Sequence, residues 1–402
     1  MSDVDPVRNP YAPGAGQRPP ELAGRDRELE VFDVVLERVA RTRPERSLVL
    51  TGLRGVGKTV LLNSLRSQAI TRLWGTGKIE ARPDQPMRRA LSGALHMAVR
   101  ELAPRHRAPD RIEDFLAVLK AFALRSNPAN AKLRERWQPG IDIPAASGRA
   151  DSGDIEIDLV ELFTDAAGIA TDVGTGIALF IDEMQDLSPE DVSALCAACH
   201  ELSQTGAPLI VVGAGLPHLP AVLSAAKSYS ERLFRYQRID RLDRISADQA
   251  LCAPALREGV EYQAKALDAL YEASGGYPYF VQAYGKATWD HAPRTPITDA
   301  DVRVAAPEAE AELAVGFFGS RYERATPAER EYMRAMATLS TVDSEGEAVP
   351  TAEVARTLER KPASLSPARD ALIKKGLIYS GERGTVAFTV PHFARYLRTQ
   401  PA

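Results

Sequence analysis

An eight-residue motif between an apolar stretch and a helical pattern constrains the fold more than any other feature of the chain. Residues 52–59 read Gly-Leu-Arg-Gly-Val-Gly-Lys-Thr, the pattern G-x-x-x-x-G-K-T. The apolar residues 48–50 predict a strand before it, and residues 60–65 predict a helix after it. Glycines in such a turn let backbone N–H groups point inward and bind phosphate oxygens, beside the positive end of the helix dipole. The motif therefore predicts a P-loop.

The residue types in this loop assign a role to each position. Lys58 is expected to reach the β- and γ-phosphates of a nucleotide and to act in catalysis, and the hydroxyl of Thr59 is expected to bind Mg²⁺. The residues expected to bind the nucleotide are Gly52, Leu53, Arg54, Gly55, Val56, Gly57, Lys58 and Thr59.

A pair of acidic residues follows a second apolar stretch. Residues 177–181 read Ile-Ala-Leu-Phe-Ile, typical of a strand buried on both faces, and Asp182 and Glu183 come next. Open α/β sheets bind ligands at the carboxyl ends of their strands, so we expect Asp182 to bind Mg²⁺ and Glu183 to polarise an attacking water. The alternative is that the two acids only end the strand before a loop.

Composition and charge limit the classes of protein to consider. A chain of 402 residues predicts two or three domains. Its net charge of −4 indicates no polyanion partner, so any nucleic-acid contact needs a local basic patch. No stretch of 18 apolar residues occurs, and residues 1–6 lack a basic region followed by an apolar one. We expect a cytoplasmic protein with no membrane partner.

Two of the cysteines form a misleading motif. Residues 196–200 read Cys-Ala-Ala-Cys-His, the sequence to which c-type haem is attached. Such attachment requires export, which nothing in the sequence supports. Cys196 and Cys199 instead belong to a helical apolar pattern, so we expect core packing and no haem.

Strands and helices alternate in the first part of the chain, and helices dominate the second. Strands are predicted at residues 48–50, 79–81, 178–181, 209–212 and 234–239, with helices between them. Alternation favours a mostly parallel sheet covered on both faces. We therefore predict an α/β fold with an extended N-terminal arm at residues 1–20, a P-loop core at 21–245 and a helical lid and connector at 246–324.

The last segment, residues 325–402, is predicted to be a winged helix-turn-helix. Thr326, Pro327 and Glu329 form a capping box with proline at the first helical position. Further helices are expected at 351–358 and 364–375, followed by a hairpin of residues 377–380 and 385–390. Three helices and a two-stranded wing are typical of that motif.

An insertion separates the second predicted strand from the acidic one. Residues 137–153 are expected to form a short β-hairpin or an irregular loop. Their role stays open, because long loops are often functional and are often solvated linkers.

These segments together resemble AAA+ P-loop ATPases, within them the initiator-like and STAND-like signal-transduction group. The resemblance covers most of the chain. It rests on residues 24–28, 51–59, 181–187 and 275–278 and on the C-terminal winged helix. More narrowly, residues 213–217, 227–234, 372–380 and 388–391 look like a bacterial group of AAA family ATP-binding proteins, largely uncharacterised.

The resemblance implies that the protein binds ATP and Mg²⁺ and hydrolyses ATP. It also implies that Pro278, in a Gly-x-Pro motif, contacts the nucleotide from the lid, and that residues 22–25 pack on the adenine. A polar sensor is missing after Val212, and no arginine follows Pro278 in the first turns of its helix. These departures imply slow hydrolysis, or a nucleotide used as a switch.

Arg232 is the best candidate for an arginine finger. It precedes the fifth strand, with Arg235 and Arg238 behind it. A finger must reach the γ-phosphate in a neighbouring subunit, so this role requires a homo-oligomer. The alternative is an ordinary surface arginine, and the sequence leaves both open.

The winged helix carries a local positive charge. Between residues 361 and 398, seven basic residues accompany only two acidic ones, which favours duplex DNA as a partner. Few side chains suit base recognition, chiefly Ser366 and Arg369, and winged helices also dock proteins. The expected function is an ATPase that couples its nucleotide state to DNA association; the alternative is a STAND-like signalling or scaffold switch whose winged helix binds a protein.

Overall fold

The computed structural model describes residues 3–14, 16–83, 85–125, 140–340 and 348–400. Its first part alternates strands and helices, as the sequence predicts. The strands are β1 Ser47–Thr51, β2 Gly75–Glu80, β3 Ile177–Asp182, β4 Leu209–Gly215 and β5 Phe234–Arg238. The helices are α1 Asp26–Ala40, α2 Lys58–Thr71, α3 Met87–Leu102, α4 Pro109–Leu124, α5 Ile155–Val173, α6 Pro189–Thr205, α7 Leu219–Ala226 and α8 Ser230–Leu233.

The five strands form one parallel sheet in the order β2-β3-β4-β1-β5. Strands β1, β3 and β4 are buried along their whole length, because helices cover both faces. All carboxyl ends lie at the same edge, so the loop after β1 and the acids after β3 come close together there, on either side of β4.

Strand β2 begins earlier than its apolar pattern indicates. The sequence predicts residues 79–81, but the strand starts at Gly75. A Cβ at Gly75 would stand 2.6 Å from the carbonyl oxygen of Ala98, and one at Gly77 2.5 Å from that of Ala94. Close packing of this strand on α3 therefore requires glycines, which an apolar pattern does not identify.

The lid contains the predicted helices and continues further. Its helices are α9 Arg244–Arg257, α10 Ala264–Ser274, α11 Pro278–His291 and α12 Asp299–Glu312. A π-helical turn, Leu313–Gly319, and the short helix α13, Ser320–Glu323, come next. Residues 313–324 are called the connector below, because they join the lid to the last part of the chain.

Residues 325–400, the C-terminal unit, have the predicted order of helices and hairpin. The elements are α14 Pro327–Leu339, β6 Val349–Pro350, α15 Thr351–Thr357, α16 Pro362–Lys374, β7 Ile378–Tyr379, β8 Thr385–Phe388 and α17 Phe393–Arg398. The predicted capping box begins α14, with the Thr326 N–H donating to Glu329 at 2.9 Å. The short strand β6 was not predicted; it adds a third, antiparallel strand in the order β6-β8-β7.

The N-terminal arm, residues 3–20, has little regular structure but packs firmly on the lid. Tyr11 is 4% exposed, and its hydroxyl donates to the carbonyl oxygen of Leu251 at 2.6 Å. The Trp289 indole N–H donates to the carbonyl oxygen of Asp5 at 2.9 Å. The side chains of the arm therefore join the core of the lid.

Two further predictions concern α6 and the insertion. Cys196 and Cys199 are buried in the core, and burial raises the pKa of each thiol to about 12. Core packing of both cysteines is confirmed. Residues 137–139 of the insertion lie outside the described residues, and residues 140–153 are irregular, with Lys120 donating to the carbonyl oxygens of Ile141 and Ile143.

Candidate nucleotide-binding site

The turn between β1 and α2 has the conformation of an anion-binding loop. Gly55 and Gly57 have φ angles of 83° and 87°, in the left-handed region that glycine adopts without strain. A Cβ at Gly52 would stand 2.2 Å from the carbonyl oxygen of Ile239, so the loop also needs glycine where it leaves β1. Helix α2 begins at Lys58, and the N–H groups of its first turn have no partner within the helix, so they can bind an anion.

The ammonium group of Lys58 lies inside this loop. Its Nζ donates to the carbonyl oxygens of Gly52 and Leu53 at 2.9 and 2.8 Å. Burial lowers the pKa of Lys58 to about 8, although the nearby carboxylate of Glu183 acts to raise it. The lysine is therefore a buried cation whose partners are neutral carbonyl groups, which a phosphate oxygen can replace.

Asp182 ends β3 beside the first turn of α2. Its side chain is buried and hydrogen-bonded to the hydroxyl of Thr59. Burial raises the pKa of Asp182, and the bond from Thr59 partly offsets that effect. The hydroxyl and the carboxylate that the sequence assigns to Mg²⁺ are thus in direct contact.

Glu183 follows in a left-handed conformation, with φ of 51°. Its Oε1 accepts from Arg54 Nη1 at 2.9 Å and its Oε2 from Gln185 Nε2 at 2.6 Å. Burial acts to raise the pKa of Glu183, but the Arg54 guanidinium and Gln185 outweigh it, so the pKa lies below its usual range. The carboxylate is ionised and held by two donors.

These groups line one cavity of about 360 Å³. Its walls come from the P-loop, the acid pair, the N-terminal arm, the lid and the connector. The lining residues outside the P-loop and the acid pair include Ala12, Pro13, Gly14, Gly16, Gln17, Pro19, Leu22, Ala23, Arg25, Pro278, Tyr279, Gln282, Phe317 and Arg321. Residues 22–25, which the resemblance places on the adenine, lie in this wall.

The lid meets the P-loop next to Pro278, whose contact with a nucleotide stays a prediction. Pro278 is the first residue of α11 and lines the cavity. The N–H of Tyr279 donates to the carbonyl oxygen of Gly55 at 3.2 Å. The first turn of α11 is therefore in direct contact with the P-loop.

Two polar side chains of the site, Arg321 and Gln185, were missed by the sequence analysis; Arg25, expected beside the adenine, also supports the P-loop. Arg321 reaches the cavity from the connector. Arg25 is buried and supports the loop, donating to the carbonyl oxygens of Val56 at 3.2 Å and Asp240 at 2.7 Å. Gln185 holds Glu183 and accepts from the Leu216 N–H at 3.0 Å. Gln185 lies two residues after the acid pair, so its position next to that motif could have identified it. No sequence motif near Arg321 indicates a place in the site.

Arg232 is not brought to this cavity. It lies on the short helix α8, immediately before β5, and its side chain is exposed. Residue Ser47 pairs with Phe234 and Thr51 with Arg238, so α8 is at the sheet edge opposite the P-loop. A role for Arg232 in a neighbouring subunit, and the homo-oligomer it needs, stay predictions.

A nucleotide with Mg²⁺ fits the residues that are present. A Cβ at Gly57 would meet nothing within 4 Å, so the loop borders open space rather than packed side chains. The described residues contain no cluster of three or more His, Cys, Asp or Glu side chains able to hold a metal alone. Mg²⁺ suits this arrangement, because it usually takes one or two protein ligands and completes its shell with phosphates and water.

Within the described ranges, no helix has the length and apolar character needed to cross a membrane.

Comparison with known families finds a match for about the first half of the chain. Residues 21–212 match the model of the AAA ATPase domain. Residues 315–397 match a second model, described as a domain of unknown function. No curated protein matches the chain.

Solved structures extend the similarity over the whole chain. The Walker-type ATPase of Pyrococcus abyssi is 15% identical, with 95% of this chain and 97% of that chain covered and a TM-score of 0.57. The Aeropyrum pernix Orc1 protein, solved in complex with DNA, is 14% identical over 98% of this chain and 96% of its own, with a TM-score of 0.44. The Thermotoga maritima RuvB branch migration motor is 16% identical over 96% of this chain and 100% of its own, with a TM-score of 0.42.

The family match contains both the P-loop and the acid pair, and the Pyrococcus structure shares the fold around them. On these grounds residues 21–212 are an AAA ATPase domain, and the chain has the fold of an AAA+ P-loop ATPase.

Proposed function

We propose that the protein is a slow, ATP-driven switch whose nucleotide state controls how the C-terminal unit contacts the P-loop. One residue carries the proposal. The backbone N–H of Arg54 donates to the carbonyl oxygen of Thr389 in the C-terminal unit at 2.8 Å, while its guanidinium binds Glu183 at 2.9 Å. Arg54 therefore links the C-terminal unit, which would respond to the nucleotide, with the carboxylate of Glu183, which would activate water.

The proposed roles follow from the geometry of the cavity. Lys58 and the N–H groups of residues 52–59 bind the phosphates, and Thr59 and Asp182 hold Mg²⁺, which neutralises phosphate charge when bound. Glu183 accepts the proton of the attacking water. Pro278 and residues 22–25 enclose the nucleotide from the lid and the arm.

The switch operates through a change in the binding partner of Arg54. While it pairs with Glu183, the carboxylate is occupied and is a poor base. A triphosphate competes for the guanidinium, since phosphate and carboxylate are both strong partners of arginine. Movement of Arg54 toward phosphate frees Glu183 and alters the backbone bond to Thr389. Turnover is slow because this exchange precedes catalysis and because residues 212–215 of β4 carry no polar side chain.

Hydrogen exchange of the full chain tests the switch. We expect the amide of Arg54 to exchange up to about tenfold faster with a non-hydrolysable ATP analogue than with ADP, because its hydrogen bond to the carbonyl oxygen of Thr389 is lost. Arg54→Ala should abolish the difference between nucleotides. Arg241→Ala, at an exposed arginine outside the cavity, serves as the control and should keep it. Identical exchange in the apo, ADP and analogue states would contradict the proposal.

The structure reduces the positive charge that the C-terminal unit can offer to DNA. Four of the seven basic side chains between residues 361 and 398 are engaged internally: Arg369 with Asp370, Lys375 with Glu329, Arg395 with Glu310, and Arg398 with the carbonyl oxygens of Ala337 and Ser340. Lys361, Lys374 and Arg383 form no ion pair with any described residue. Exposed positions of α16 are largely small and uncharged, among them Ala363, Ser364 and Pro367. This surface favours a protein as the partner of the switch.

Duplex DNA is the second candidate partner, supported by the three exposed basic side chains. Replacing Lys361 and Lys374 with alanine should reduce the slope of log affinity against log salt by about 1.8, since each phosphate contact contributes about 0.9. Arg303→Ala, on the exposed face of α12, is the control. The measurement is a salt titration of full-length protein with duplexes of unrelated sequence, with and without ATP. No binding at low salt in either state would exclude DNA and leave the protein partner.

A further inference from the structure

The cavity contains an arginine that the roles above leave unused. Arg321 lies in α13 of the connector and lines the same cavity as Lys58 and Glu183. Burial and, to a smaller extent, the nearby Arg54 lower the pKa of Arg321 to about 10. A guanidinium in such surroundings is held away from water and close to a second cation.

Aromatic packing fixes this side chain against the P-loop. The guanidinium carbon of Arg321 is 4.4 Å from the centroid of the Phe317 ring, and that ring stacks on Tyr279 at 4.7 Å. Tyr279 in turn donates its N–H to Gly55 at 3.2 Å. Phe317 lies in the π-helical turn, and such turns are frequent at functional sites. The connector is thus built to present Arg321 beside the loop.

Arg321 lacks the partner that a buried cation normally has. No carboxylate of the described residues lies within ion-pair distance of it, and its hydrogen bond goes to the carbonyl oxygen of Phe317. Burial of an unpaired charge is costly. Near Arg321 stand Arg54, which is also positive, and Glu183, which Arg54 already neutralises. This corner of the cavity therefore lacks an anion.

The position of Arg321 indicates which part of a nucleotide supplies that anion. Arg54 and Glu183, two of the charged groups that act on Arg321, line the same cavity at the end where water attack would occur. In a P-loop site that end holds the γ-phosphate. A diphosphate would leave the corner empty.

We propose that Arg321 is a ligand of the γ-phosphate, supplied within the same chain by the segment that matches the domain of unknown function. This inference rests on the proposed nucleotide site and deepens it. Contact with the γ-phosphate ties the connector to the P-loop when a triphosphate is bound and releases it with a diphosphate. The C-terminal unit, which follows the connector directly, therefore receives the difference between ATP and ADP through Arg321.

The test compares affinities for ADP and for a non-hydrolysable ATP analogue by calorimetry of the full chain. Arg321→Gln keeps a stem over Phe317 but removes the charge, and it should weaken analogue binding about tenfold to a hundredfold, as expected for a lost charge-assisted hydrogen bond. ADP affinity should stay within about threefold. Arg321→Lys should recover part of the loss. Arg303→Gln, at an exposed position of α12 outside the cavity, should resemble the wild type.

Melting temperatures without nucleotide show whether each variant is folded. An equal loss of affinity for both nucleotides would mean that Arg321 only supports the cavity, and no loss for either would mean that it does not touch phosphate; either result overturns the inference. A parallel Lys58→Ala variant separates this inference from the proposed site. Loss of both nucleotides in Lys58→Ala, with none in Arg321→Gln, would leave the site standing and remove Arg321 from it.

Discussion

Replacing Glu183 with glutamine is expected to lower ATP turnover by about 10² to 10⁴-fold, the usual contribution of a general base. Glutamine has nearly the same shape but accepts no proton. Binding should persist, because the phosphate donors of the P-loop and Lys58 are untouched. Steady-state phosphate release and calorimetric ATP binding measure the two effects separately.

Glu80 provides a matched control for this substitution. It ends β2, the strand beside β3, and its side chain is 60% exposed. Glu80→Gln should leave turnover unchanged. Full activity in Glu183→Gln would show that another group activates the water, and a simultaneous loss of binding would show that Glu183 mainly supports the cavity.

Lys58→Ala is expected to weaken ATP binding by at least about a hundredfold, because charge-assisted hydrogen bonds to phosphate disappear from a buried site. ADP binding should also fall, since the lysine reaches the β-phosphate. Lys265→Ala, on an exposed position of α10 in the lid, is the control for a lost surface charge. Equal ATP affinity in wild type and Lys58→Ala would refute the P-loop assignment.

The lowered pKa of Lys58 adds a pH dependence to the same experiment. The cation is complete below a pKa of about 8 and is lost as the pH rises through that value in the nucleotide-free protein. ATP favours the charged form, so binding above pH 8 must take up a proton and apparent affinity should fall. Lys58→Ala should bind ATP more weakly, and its apparent affinity should not fall further between pH 8 and 10. Titrations in buffers of different ionisation enthalpy would reveal the proton uptake.

The parts of the site that the sequence could predict are those formed by short motifs of neighbouring residues. The P-loop combines glycines, lysine and threonine in a fixed spacing, and the strand before Asp182 is continuous and apolar. The alternation of strands and helices predicts a parallel sheet, and such a sheet brings Thr59 and Asp182 to the same edge. Pro278 was found only through family resemblance, because a proline that begins a helix carries no functional signal of its own.

The rest depends on contacts between distant segments. Arg321 is remote from the P-loop in sequence and reaches it only because a π-helical turn and two aromatic rings direct it. Charge counting likewise overstated the basic surface of the C-terminal unit, since it cannot register that Lys375 binds the buried Glu329 or that Arg395 binds Glu310 on the lid. Such pairings are decided by tertiary packing.

The anchored N-terminal arm has a consequence for how the domain can be separated from its chain. The family match begins at residue 21, yet residues 12–14, 16, 17 and 19 form part of the cavity wall, and the arm is held on the lid through Tyr11. A fragment cut at the family boundary would lose that wall while keeping every motif residue. A protease that cleaves within the arm would likewise open the cavity while leaving every motif residue in place.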